Sequence, residues 1–231
     1  MSVNYSYIPA GEQARVLVDA VLANNTSNNE GDTKSNSATY NWKPSPTGSA
    51  TTVGPVQADF DIVEPELTVT KALNGSIQAD PSVGFQAGDT AIFRITVTNP
   101  AGGNATAFDF DIIDESDELL SCVAIDGASP NNPGIPTGGT PSGGKRTYTW
   151  ASASGDMPSS LAPGASYVFD AQFLLGAVSP LQNLENQAQV TWTSQSGANV
   201  NERTGTDTDT GGQNDYYCLL YTSPSPRDGS I

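Results

Sequence analysis

Apolar and polar residues alternate with a period of two through much of the chain. In TAIFRITVT (90–98) Phe93, Ile95 and Val97 share one face, and Arg94 and Thr96 the other. In SYVFDAQFLL (166–175) Tyr167, Phe169, Ala171 and Phe173 oppose Asp170 and Gln172. This is the pattern of strands that bury one face. It predicts strands over 66–71, 90–98, 107–113, 119–125, 145–151, 166–175 and 186–194, separated by turn-rich connections of which the longest, near 127–144, is SPNNPGIPTGGTPSGG and its flanks. Seven alternating strands with no helix predict an all-β fold, an immunoglobulin-like antiparallel β-sandwich.

The chain also repeats itself. Asn36, Ala38, Tyr40 and Trp42 match Asn186, Ala188, Val190 and Trp192 in the pattern Asn-x-Ala-x-(Tyr or Val)-x-Trp. Upstream, Pro9-Ala10-Gly11 followed by RVLVDAVL matches Ala162-Pro163-Gly164 followed by YVFDAQFLL. The match therefore includes two consecutive strands and the loop between them, and a period this long indicates tandem whole domains rather than a solenoid. Residues 1–62 read as the C-terminal half of one repeat, 63–205 as a complete repeat, and 206–217 as an inter-repeat linker. Asn36 occupies the Asn186 position in a half that lacks the front strands, so that half is expected to form no equivalent of the chemistry described below and to be poorly ordered. From Cys218 to Asp228 the sequence CLLYTSPSPRD is similar to the translation of a transposase sequencing adapter; 218–231 is therefore read as a non-native tail and left out of the fold.

Composition narrows the function. Of 231 residues 23 are Gly and 16 are Pro, which suits short strands and many turns. Nine basic against 25 acidic residues give a net charge of −16, so phosphate backbones and anionic lipid surfaces repel the chain and nucleic-acid binding is excluded. There is no histidine, which removes Ser-His-Asp, Cys-His and His-zinc chemistries. Met1 to Gln13 has no basic cluster followed by an apolar run, and no stretch approaches the roughly 18 apolar residues of a membrane span; no membrane insertion is expected in this segment. With the tail set aside, Cys122 is the only thiol, between apolar neighbours, so no disulfide is expected.

Two polar residues fall on the apolar phase. In the first strand Leu67, Val69 and Lys71 share a face; in the last, Asn186 is in phase with Ala188, Val190 and Trp192. Burying an ammonium without compensation costs several kcal/mol. One explanation is that Lys71 snorkels to solvent and Asn186 caps a turn. The other is covalent: a lysine kept neutral by desolvation is a nucleophile, a carboxamide held about 3–3.5 Å away is its electrophile, and an isopeptide bond forms with loss of ammonia. That reaction needs a carboxylic acid with a raised pKa to polarise the amide and shuttle protons. The candidates are Asp109 and Asp111 in AFDFDII, although strict alternation puts both on the face opposite Phe108, Phe110 and Ile112.

VEPELTVTK, AGDTAIFRITVTNPAGGNATAFDFDIIDE, APGASYVFDAQFLL, NQAQVTWTS and NERTGTDTDTGGQNDY, in this order, resemble the repeated immunoglobulin-like domains of large bacterial surface and fimbrial proteins that form isopeptide bonds. The resemblance covers about 63–217 and, through its back half, 1–62. It implies that the lysine ending the first strand pairs with the asparagine opening the last and that a mid-domain aspartate assists, which places those roles on Lys71, Asn186 and Asp109, with Asp111 as runner-up. The leucine-proline usual after the middle strand is replaced by SDELL (116–120). The resemblance implies a structural stalk or spacer module of an adhesin or fimbria, outside the cell or on its surface, not an enzyme. Its partners would be neighbouring repeats of the same chain, with surface ligands engaged through other domains, and it would need no cofactor. The alternative function is a glycan-binding sandwich, whose signature would be exposed aromatics; Trp42, Trp150 and Trp192 are mostly in phase with apolar residues and read as core. A glycoside hydrolase is a further reading of the many carboxylates. Asp207 and Asp209, in DTDTGG, are a calcium candidate through oxygen ligands, set against a solvated linker.

Overall fold

The computed structural model describes residues 2–80, 82–102, 105–129, 134–155, 157–179, 182–198, 200–205 and 216–220. Among them there is no α-helix; one 3-10 turn spans Ser152–Ser154. Twelve strands form: β1 (Thr33–Trp42), β2 (Thr51–Asp61), β3 (Thr68–Ile77), β4 (Thr90–Thr98), β5 (Ala107–Asp117), β6 (Leu120–Ser129), β7 (Thr137–Gly138), β8 (Lys145–Ala151), β9 (Ser160–Leu161), β10 (Ser166–Leu175), β11 (Asn186–Thr193) and β12 (Tyr217–Leu220). β1 and β2 form a separate hairpin. One sheet has the order β3-β4-β10-β6 and the other β12-β11-β5-β8-β7, with β9 paired to β5. All pairings are antiparallel.

The two sheets bury the faces that alternation predicts. Tyr167, Phe169 and Ala171 lie opposite Val97, Ile95 and Phe93 across the β10–β4 pairing, and all six are buried. From the other sheet come Phe110, Ile112, Tyr148, Trp150, Ala188, Val190 and Trp192. Aromatic rings meet edge-on in the middle, Phe93 with Phe173 at 5.8 Å and Tyr148 with Phe173 at 5.7 Å between centroids, a geometry favoured by the ring quadrupole. Three strands run on past their predicted ends: β3 continues to Ile77, β5 to Asp117 and β6 to Ser129.

Three sequence expectations fail in the first 62 residues and at the C-terminal end. RVLVDAVL (15–22), matched in sequence to β10, is not a strand, and its residues are exposed. β10 is held between β4 and β6, whereas 15–22 has no such neighbours among the described residues, and backbone groups without a ladder stay with water. Trp42, read as core, is 41% exposed, whereas its counterpart Trp192 is 4% exposed. Asn36, Ala38 and Tyr40 are likewise exposed although Asn186, Ala188 and Val190 are fully covered, because among the described residues no second sheet lies over the hairpin. Finally, Cys218 to Leu220, set aside as tail, extend Tyr217 into β12 and pair with β11; an open strand edge is a template for any extended segment that reaches it.

Candidate functional site

β3 carries Lys71 at a position opposite Ile95 of β4. Leu67 and Val69 precede it on the same buried face, so the pleat sends the lysine into the space between the sheets. Its side chain is wholly covered. The ammonium nitrogen lies 5.2 Å from the centroid of the Phe93 ring and 5.5 Å from that of Phe173, and Nζ pairs with Oδ2 of Asp114, whose side chain is also wholly covered. Snorkelling is thereby excluded: the lysine ends inside the sandwich, against a carboxyl from the opposite sheet.

Burial drives the two pKa values toward each other. It pushes Lys71 below the ordinary lysine range, with Asp114 opposing, and it pushes Asp114 above the ordinary carboxyl range, with Lys71 opposing. Burial thus works against charge on both groups, and each opposes that effect on the other. Asp114 Oδ1 has no hydrogen-bond partner among the described residues. Cys122 sits beside the pair; burial, with Asp114 adding to it, pushes its thiol up to about 12.

The carboxyl that meets Lys71 is Asp114, and Asp109 lies elsewhere. β5 begins Ala107-Phe108-Asp109-Phe110, and Asp109 has a φ of 45° while the register against β11 skips between Thr191 and Thr193. This bulge shifts the phase. Ala107 is buried before it, and Phe110, Ile112, Asp114 and Ser116 face inward after it, so Phe108 and Phe110 do not share a face. Asp109 points away from the lysine and accepts the Gly197 amide at 2.6 Å. Asp111, the runner-up, is half-buried and accepts the Ser152 amide at 3.2 Å; burial raises its pKa, but it too lies on the outer face of β5. Asp114 was legible: it continues the phase of Phe110 and Ile112, and only the early end assigned to that strand hid it.

Asn186 opens β11 and is fully buried. It lies opposite Ser116, and Asp114 lies opposite Ala188. Asn186 is therefore the diagonal neighbour of Asp114 on one inward face, a relation in which Cα atoms are about 7–8 Å apart and side chains reach one another. β3 packs across the sandwich against β11. The amine, acid and carboxamide thus come from three strands and are all buried between the two sheets. Asp207 and Asp209 lie outside the described residues.

No family model matches the sequence, and no curated protein matches it. Among solved structures the chain is similar to the full-length major pilin SpaD from Corynebacterium diphtheriae, at 16% identity and a TM-score of 0.40 over 68% of this chain and 35% of the pilin. It is similar to the Actinomyces fimbrial adhesin FimA at 18% identity and 0.39, over 65% of this chain and 54% of the adhesin. It is also similar to AvmM, which catalyses macrocyclization in alchivemycin A biosynthesis, at 11% identity and 0.38, over 67% and 86%. The chain therefore spans about a third of the length of SpaD and about half of FimA. No described helix is long and apolar enough to cross a membrane.

Proposed function

We propose that the repeat is a structural module of a bacterial surface fibre or adhesin, tied internally by a Lys71–Asn186 isopeptide bond that Asp114 promotes. The observation that carries this reading is the fully covered contact between Lys71 and Asp114, with Asn186 on the same buried face of the neighbouring strand. A buried lysine–carboxyl pair adds little to stability over a well-packed apolar pair, and its chemistry supplies the reason to keep it.

The neutral Lys71 amine attacks Cγ of Asn186, so the Nζ–Cγ bond forms and the Cγ–Nδ2 bond breaks. The Asp114 carboxyl donates its proton toward the carboxamide, raising its electrophilicity, and takes a proton from Nζ; the nitrogen that departs leaves as ammonia. The Phe93 and Phe173 rings crowd Nζ, and burial, which lowers the lysine pKa, favours the unprotonated nucleophile. The event happens once, within one chain, and needs no cofactor or oxidant. The bond closes a loop of about 115 residues, worth about 4–5 kcal/mol by the chain-entropy argument. Its place matters more: tension entering at β3 would pass to β11 through a covalent bond and bypass the hydrogen-bonded sheets. A tandem array so tied would be an inextensible, protease-resistant spacer on the cell surface.

Single-molecule extension tests this reading. Pulled from its two ends, the cross-linked chain withholds the segment between 71 and 186, about 400 Å of contour length at about 3.5 Å per residue. An Asp114→Ala chain should release that length, and release of it by the unsubstituted chain contradicts the proposal.

A further inference from the structure

Arg203 links two stretches that the internal repeat assigns to successive units. It follows β11 and is only 8% exposed. Its Nη1 pairs with Oε1 of Glu64, in the segment that leads from β2 into β3. Its Nη2 donates to the backbone carbonyls of Asn28 and, at 3.2 Å, Asn25. The second Glu64 oxygen accepts the Tyr216 hydroxyl at 2.9 Å, and the Tyr216 ring stacks on Trp192 with centroids 5.6 Å apart and planes 11° from parallel. Trp192 in turn donates from its indole nitrogen to the Pro65 carbonyl at 3.0 Å. From the other side, the Asn24 carboxamide donates to the Glu202 carbonyl at 2.7 Å.

The loop that meets this cluster is shaped by its own side chains. Asn25 Oδ1 accepts the amide of Ser27 at 3.0 Å and its hydroxyl, and the Asn28 carboxamide donates to Ala23 O at 2.8 Å. These bonds fold the turn so that the carbonyls of Asn25 and Asn28 converge on one point. A guanidinium, with five donors in a fixed fork, serves a carboxylate and two carbonyls at once; an ammonium has no such fork.

We propose that Arg203 and Glu64 of the complete repeat, with Tyr216 of the segment that follows it, form a docking site for the carbonyl-bearing 24–28 loop of the repeat before it, and that this site fixes the angle between consecutive repeats. Stiffness of the array then has two separate sources, the cross-link inside each repeat and this clamp between them. The clamp presumes the tandem organisation but not the isopeptide bond, and its residues are not those of the cross-link.

Amide exchange, followed residue by residue on the full chain by NMR, tests it. In Arg203→Lys and Arg203→Ala the Ser27, Asn28 and Gly31 amides should exchange about tenfold faster or more, while the β10 amides keep their protection. Asn24→Ala, which removes a contact from the loop side only, should accelerate the same amides to a lesser extent, and X-ray scattering should show a longer maximum dimension for the Arg203 variants. Unchanged exchange at these amides in Arg203→Ala, or an equal acceleration throughout β10, would overturn the proposal. The mass of the chain reads the cross-link independently of either result.

Discussion

Removing Asp114 alone should be far more damaging than removing the whole Lys71–Asp114 pair. Asp114→Ala leaves an amine with no partner in a compartment where both side chains are fully covered, and breaking a buried pair in this way costs about 3–5 kcal/mol. Lys71→Met with Asp114→Leu fills the same space with apolar atoms and should be neutral or better relative to the uncross-linked pair. All these variants lack the cross-link, so its contribution cancels in the comparison. The double variant should then unfold at a temperature about 10 °C or more above Asp114→Ala. The pH dependence supplies a second readout. In the unmodified pair the folded state holds one proton between amine and acid, and the unfolded state at neutral pH also holds one, on the lysine, so the pair contributes no slope near pH 7. In Lys71→Met the raised pKa of Asp114 stands alone: its stabilising share is complete below the unfolded value of 3.8 and is lost as pH rises through the folded value. In Asp114→Ala the lowered pKa of Lys71 stands alone: its share is complete above 10.5 and is lost as pH falls through the folded value. The slopes are opposite in sign, each about 1.4 kcal/mol per pH unit inside its window. Denaturant midpoints of the three variants from pH 5 to 10 measure them. Equal stability of Asp114→Ala and the double variant, or flat profiles in both single variants, would refute the burial argument.

Three other outcomes follow from the same core. Cys122, with its thiol pushed up to about 12 and partly covered, should resist alkylation in the folded protein at pH 8 and react at an ordinary thiol rate in denaturant; rapid labelling of the native chain at this residue, located by peptide mapping, would contradict its placement. Phe173→Ala removes the ring that touches Phe93, Tyr148 and Lys71 and should cost about 3–5 kcal/mol in chemical denaturation, together with slower formation of the cross-link because water reaches the amine. Gly205→Ala puts a Cβ against the Tyr216 carbonyl and 2.9 Å from Cβ of Thr191, so it should loosen the junction around Arg203, read as faster exchange at Asn28, while β4 stays protected.

The sandwich was legible because burial on one face imposes period two, and Phe93, Ile95 and Val97 or Tyr167, Phe169 and Ala171 carry that period without interruption. The same rule aimed Lys71 and Asn186 inward. It failed at Asp109, where a left-handed backbone conformation inserts one residue and inverts the phase of everything upstream. The bulge misplaces Phe108, but Asp114 stays in phase with Phe110 and Ile112 and is hidden only by ending that strand at 113. The exposed hairpin of β1 and β2 shows the opposite failure. Its pattern matches a buried strand of the complete repeat, but burial depends on a covering sheet, and alternation along one strand carries no information about its cover. The Arg203 clamp had no local signal at all, since Glu64, Asn28 and Arg203 are brought together by tertiary folding from positions far apart in the chain.

Intact mass spectrometry of the folded chain bears most directly on the cross-link. The unsubstituted protein should be lighter than its sequence mass by one ammonia, and a digest should contain a branched peptide joining Lys71 to Asn186, while Asp114→Ala and Lys71→Met should show the full sequence mass. A well-folded unsubstituted chain at full sequence mass would contradict the account.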